Sequence, residues 1–148
     1  MTEHGRLVAI WVKRFKRGPM DPKPEAALVA GRGIEGNANQ GGKRQVTILS
    51  SEAWREMMAE VGGDVDPSTR RSNFMVSGID FTDSRGRILE IGDVRILIHG
   101  ETRPCELMDE AHDGLRSAMA SPWRGGAFGE VLDDGAVSVG DPVSWRES

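Results

Sequence analysis

The 148-residue sequence predicts a mainly β fold with a few helices, its strands curled into a single barrel. Three observations carry this expectation. Short β-branched and alternating runs recur along the chain. Successive runs are joined by short glycine-containing turns, which favours antiparallel pairing and a barrel-like sheet. No strand–helix alternation of the dinucleotide-binding kind is present. With 38% hydrophobic and 28% charged residues, the composition is that of a globular chain, and 148 residues suit one domain over 1–148.

The elements follow in order. Residues 7–12, LVAIWV, form a strand with both faces at least partly buried, followed by the basic KRFKRG. Pro19, Pro22 and Pro24 break the next segment, after which 26–30 can pair as a short strand. GRGIEGNANQGGKRQ is a long glycine-rich loop, and such loops inside a compact domain usually serve function. Residues 45–49 form a strand leading into a helix capped by serine, with Glu52 in its first turn and Gly62 as its stop. Ala53, Trp54, Met57, Met58 and Val61 share one helical face and read as core. A polar connector with a helical turn after Pro67 precedes a strand in NFMVSGI. RGRILEIGDVRILIHGE is a hairpin turning at Gly92-Asp93, with Val94, Ile96 and Ile98 on one side and Arg95, Leu97 and His99 on the other. A helical run over 107–119 breaks at Gly114, and a last hairpin is expected to turn on Asp133-Asp134-Gly135.

Composition also bounds function. A formal net charge of −4 makes non-specific nucleic-acid binding a poor expectation, though a local basic patch is compatible with it. No window reaches membrane-span length, and the N-terminal apolar run has its basic residues on the wrong side for a signal peptide. With one cysteine, these features point to the reducing cytoplasm.

That cysteine, Cys105, follows Arg103-Pro104. Thr102 or Arg103 can cap a helix with Pro104 in its first turn, and the helix end and Arg103 then favour thiolate, while Glu101 and Glu106 oppose it. A reactive thiol and a small buried hydrophobe stand about equal on this reading. The glycines of the long loop can turn backbone N–H groups inward as an anion nest beside Lys43 and Arg44, or simply form a solvated turn; the Walker order is absent. Arg70, Arg71 and Asn73 can bind an oxyanion or pair with surface carboxylates. His4, His99 and His112 show no metal-ligand spacing. Asp109, Glu110 and Asp113 read as a solvated helix face, and Ser50 and Ser51 as caps.

Taken together, GIEGN (33–37), KRQVTILSSEAW (43–54), RRSNF (70–74), GRILEIG (86–92), RPCELMDE (103–110) and GAFGEVLDDGAVSVGDPV (126–143) resemble the MOSC domain, named for the C-terminal part of molybdenum cofactor sulfurase. The resemblance implies a β-barrel with a cleft beside the cysteine that follows proline, here Cys105. It implies one of two roles for the thiol. Cys105 is either a thiolate ligand to molybdenum in a bound molybdenum cofactor, or a persulfide carrier supplied by a pyridoxal-phosphate cysteine desulfurase. Asn37, Asn39, Lys43, Arg44, Arg71, Asn73 and Arg103 become the expected cofactor-binding residues around it. Many relatives carry Gly-Asp-x-His where this chain has Gly36-Asn37-Ala38-Asn39, so two neutral amides replace an acid–base pair. The 148 residues contain neither a desulfurase domain nor the extra N-terminal module of amidoxime reductases. The expected partners are therefore a cysteine desulfurase or a redox partner and a small-molecule ligand, with no nucleic acid and no membrane. A non-catalytic binding module with a structural cysteine is the alternative.

Overall fold

The computed structural model describes residues 5–103, 107–120 and 122–146. Its first strand, β1 (Gly5–Lys13), forms a hairpin with β2 (Met20–Lys23), and β3 (Glu25–Val29) and β4 (Gly33–Ile34) follow. After the glycine-rich loop come β5 (Val46–Ser50), α1 (Ser51–Val61), a 3-10 turn (Pro67–Arg70) and β6 (Phe74–Ser77). The remainder is β7 (Ile88–Ile91), β8 (Val94–Glu101), α2 (Leu107–Ala111), α3 (Leu115–Met119), β9 (Ala127–Val131), β10 (Gly135–Ser138) and β11 (Pro142–Trp145).

Seven strands close a barrel in the order β11, β7, β8, β9, β5, β6, β1, with the start of β1 returning to β11 through Gly5 opposite Val143. Further along, β1 leaves β11 and pairs with β2, from Ile10 opposite Lys23 to Lys13 opposite Met20. A bulge between Leu7 and Ala9 changes the phase of β1. Leu7 faces the core before it, Ile10 and Val12 after it, and Val8 is left 39% exposed. That phase change is why the apolar run showed no single buried face. β2 contains Pro22 yet is a strand, because it lies at the sheet's edge, where a missing N–H leaves no ladder bond unmade.

The barrel pairings are antiparallel except one. β5 and β6 run parallel, with Ile48 opposite Phe74, and α1 is part of the connection between them. Parallel neighbours need such a crossover, whereas a tight turn suffices for antiparallel ones. Ser50 caps α1 through Ala53 N, and Gly62 ends it in the left-handed region at φ 67°. β5 therefore has two interiors: Ile48 packs with Phe74, Ile96 and Val131 inside the barrel, while Leu49 faces a second core. Trp54, Met57, Met108, Leu115 and Met119 fill that second core, each buried side chain contributing roughly 1.5–3 kcal/mol. The Trp54 indole donates to Val65 O at 3.1 Å, satisfying its polar atom. Gly114, at φ 86°, breaks the last helical stretch into α2 and α3 as expected.

The expected hairpin at Asp133-Asp134-Gly135 does not form. β9 is flanked on both edges by β5 and β8, so β10 pairs instead with β3, in a separate sheet ordered β10, β3, β4. The two aspartates secure this departure. Asp134 Oδ1 accepts from Ala30 N at 2.8 Å, and Asp133 takes the Arg95 guanidinium at 2.9 Å through both oxygens. Hydrogen bonds from the Arg95 side chain and backbone hold the Asp133 carboxyl down at about 2. A carboxyl whose folded value is depressed stabilises the fold above its ordinary range and loses that contribution as pH falls through about 4 toward about 2. Asp133→Asn should accordingly lower Tm at neutral pH, and the gap from wild type should close as the pH of thermal melts is lowered to about 2. Among the described residues no helix is long and apolar enough to cross a membrane.

Candidate functional site

One cleft of about 210 Å³ gathers most of the expected site residues. It is lined by Asn37, Asn39, Arg44, Arg71 and Asn73, together with Lys13, Met20, Thr47, Arg70 and Met108. The wall is built where the end of β1, the glycine-rich loop, the start of β5 and the 3-10 turn meet. Arg71 closes that turn in the left-handed region at φ 63°, which aims the chain into β6.

Asn73 ties these elements together. Its backbone donates to Thr47 O at 3.0 Å and accepts from Trp11 N at 2.7 Å. Its side chain accepts from Thr47 N at 3.1 Å and donates to Trp11 O at 3.2 Å and to Asn37 Oδ1 at 3.3 Å. Asn37 Oδ1 also accepts from Lys13 N at 2.9 Å. Both amides are buried and hold the frame of the cleft, so Asn39, which is exposed, is the amide available to a ligand.

The loop's glycines do adopt positive φ at Gly36, Gly41 and Gly42. Some of its backbone donors are engaged within the fold: Asn37 N bonds Ile34 O at 3.0 Å, Ala38 N bonds Lys13 O at 2.6 Å and Gly41 N bonds Arg32 O at 2.8 Å. Gln40 and Gln45 tie the loop further, through Ile34 O and Gly42 O. Side chains bring positive charge to the cleft. Four of its ten lining residues are cations and none is acidic. Burial first, then the charges of Arg71, Arg44 and Lys16, push the Lys13 ammonium below its ordinary value. Arg44 lies 5.7 Å from the centroid of the Phe128 ring. A site whose cations destabilise one another is one that an anion would relieve.

Lys43 is exposed and outside the lining, and the Arg103 side chain is 84% exposed, 3.7 Å from Glu101. Cys105, with Pro104 and Glu106, lies outside the described residues. Its neighbours in sequence are fastened at the cleft. Arg70 donates to Gly125 O at 3.2 Å, Thr102 O at 3.2 Å and Arg103 O at 3.3 Å, and Met108 lines the cleft. The Thr102 hydroxyl donates to Gly125 O at 2.5 Å, and the helix start it was expected to cap lies outside the described residues. Sequence reasoning missed Lys13, Met20, Thr47 and Met108. Only Lys13 carried a signal, as the first residue of the basic run that ends β1.

The fold and the sequence agree with one group of known proteins. The chain superimposes on the YUAD protein from Bacillus subtilis with a TM-score of 0.81 and 21% identity, covering 100% of this chain and 98% of that one. YiiM from Geobacillus stearothermophilus gives 0.75 at 19% identity, covering 97% of this chain and 75% of that one. YiiM from Escherichia coli gives 0.70 at 19% identity, with 97% and 70% covered. No curated protein matches the sequence. The MOSC domain profile matches residues 35–144, a span that runs from the glycine-rich loop through β11, and the chain belongs to the MOSC domain family.

Proposed function

We infer that this protein binds a molybdenum cofactor in the cationic cleft, with Cys105 as its thiolate ligand. The observation that carries the reading is the lining itself: Lys13, Arg44, Arg70 and Arg71 converge with no carboxylate among them. The residues fit such a group. Lys13, Arg44 and Arg71 would hold a phosphate, the exposed Asn39 amide offers a donor to an oxo or pterin oxygen, and Cys105 would supply a soft sulfur donor. Among the described residues no trio of His, Cys, Asp or Glu converges that could hold a bare metal ion. When bound, the group supplies oxygen-atom transfer to or from a small N-oxygenated substrate. The chain's own part is to hold the anion, to position Cys105 through the Arg70 clamp on the backbone that leads to it, and to keep carboxylates out of the cleft.

The cleft volume favours a second reading. About 210 Å³ is small beside the roughly 300–1,000 Å³ of pockets that enclose drug-sized ligands. A persulfide carrier needs no more space. There, the Cys105 thiolate attacks the outer sulfur of a donor persulfide, taking that sulfur and releasing the donor cysteine as a thiolate. Native mass spectrometry, on protein purified without reductant from cells that make the cofactor, separates the two. Added mass of a molybdopterin, absent in Cys105→Ala and reduced in Arg44→Gln, is the expected result. Added mass of one sulfur on Cys105 would replace the cofactor reading with the carrier. Unmodified protein in every preparation would leave a binding module with a structural cysteine.

A further inference from the structure

The β1–β2 hairpin carries a group that the cleft does not use. Between Lys13 and Met20 the chain forms a tip over residues 14–19, where the Phe15 ring is 57% exposed. Arg14, Lys16 and Arg17 beside it are exposed as well. The tip is held in shape. Gly18 N donates to Phe15 O at 2.8 Å, Arg17 adopts φ 64°, and Arg14 pairs with Asp21 at 2.6 Å. It is also joined to the cleft wall, because Arg71 donates to Gly18 O at 2.6 Å. The Lys16 charge is felt at Lys13, so tip and cleft share one positive field. In a chain of net charge −4 that field is a local concentration, with the negative excess elsewhere.

An aromatic ring left largely in water forgoes the favourable free energy of burial. It lies outside both hydrophobic cores of the protein. Aromatic and Arg side chains are what protein interfaces concentrate at their centres.

We propose that the tip of the β1–β2 hairpin docks an acidic protein surface, with Phe15 as the apolar anchor and Arg14, Lys16 and Arg17 as the charged rim. The proposal rests on the carrier reading above, in which Cys105 takes its sulfur from a donor cysteine persulfide, and the tip is joined to the cleft that such a donor must reach. Charge complementarity selects an acidic occupant. A nucleic-acid strand fits less well, since single-strand binders stack successive bases on several aromatic rings and the tip has one. A longer polyanion would also run onto the negatively charged remainder of the chain.

The test uses a short fluorescein-labelled peptide of alternating Glu and Leu as probe, followed by anisotropy with the intact protein. Binding at low salt is expected to weaken about tenfold in Lys16→Glu/Arg17→Glu and severalfold in Phe15→Ala, with Tm unchanged because these side chains are exposed. Affinity unaffected by the tip variants would overturn the proposal, as would tighter binding of an oligothymidylate than of the peptide. Loading of Cys105 by inorganic polysulfide, which needs no docked donor, is measured on the same variants. Failure of loading in wild type would count against the sulfur-carrier reading and leave the docking result standing on its own.

Discussion

Gly126→Ala is expected to destabilise the protein by about 4 kcal/mol, near the top of the range for one substitution. Two effects add. Gly126 has φ 102°, a conformation that L side chains rarely adopt, and an added Cβ would stand 2.3 Å from the carbonyl oxygen of Ile48. That oxygen cannot yield, because Ile48 is wholly buried on β5 between β6 and β9. Gly41→Ala isolates the first effect: Gly41 has φ 74° with nothing within 4 Å of its Cβ, so only the left-handed cost of about 1–2 kcal/mol applies. The difference between the two urea midpoints then measures the close approach. Gly126 O also accepts from Thr102 N at 2.9 Å, in the strand end that leads to Cys105. Gly126→Ala should therefore lower modification of Cys105 in the native protein, whereas Gly41→Ala should not. Equal stability of the two variants would show that the contact imposes no constraint.

What the sequence disclosed and what it did not divide along a physical line. Elements with local chemistry were legible. Ser50 and Gly62 marked both ends of α1, Gly92-Asp93 marked the β7–β8 hairpin, and Gly114 marked the break before α3. Choices of partner were not. Nothing local to Asp133-Asp134-Gly135 says that both edges of β9 are already filled, so the sequence favoured a hairpin where β10 crosses to β3. The parallel β5–β6 pair and the Val8 bulge are likewise decided by barrel closure. The site divides the same way. Asn37, Asn39, Arg44, Arg71 and Asn73 were legible through the family pattern and do converge. Lys13 was not, because its place in the cleft depends on a hairpin registered by residues on two strands and on an arginine from a distant turn.

That division also separates charge from frame in the cleft. Arg44 and Arg71 supply charge and are exposed, so their replacement should alter binding with little loss of stability. Asn37 and Asn73 are buried and joined to each other and to backbone. Asn37 and Asn73 are thus parts of the scaffold, and under the proposed reading the cations would carry the recognition, with the exposed Asn39 as the free amide.

Asn73→Leu is the sharpest test of that separation. Leucine keeps the branch at Cγ, though it is bulkier, and can neither donate to Trp11 O and Asn37 Oδ1 nor accept from Thr47 N. Leaving buried polar groups unpaired costs about 1–3 kcal/mol each, so a loss of about 3 kcal/mol or more is expected. For a chain of this size that corresponds to a Tm lower by roughly 6–12 °C. Asn73→Asp distinguishes lost hydrogen bonds from altered packing. The carboxylate keeps an acceptor toward Thr47 N but faces the oxygens of Trp11 and Asn37 without a proton, which raises its pKa. Protonation restores one donor, so this variant should recover stability relative to wild type as pH falls from neutral toward about 5. Asn73→Leu should show no such recovery. Parallel pH dependence in the two variants would mean that packing around Asn73, rather than its amide, holds β1, β5 and the glycine-rich loop together.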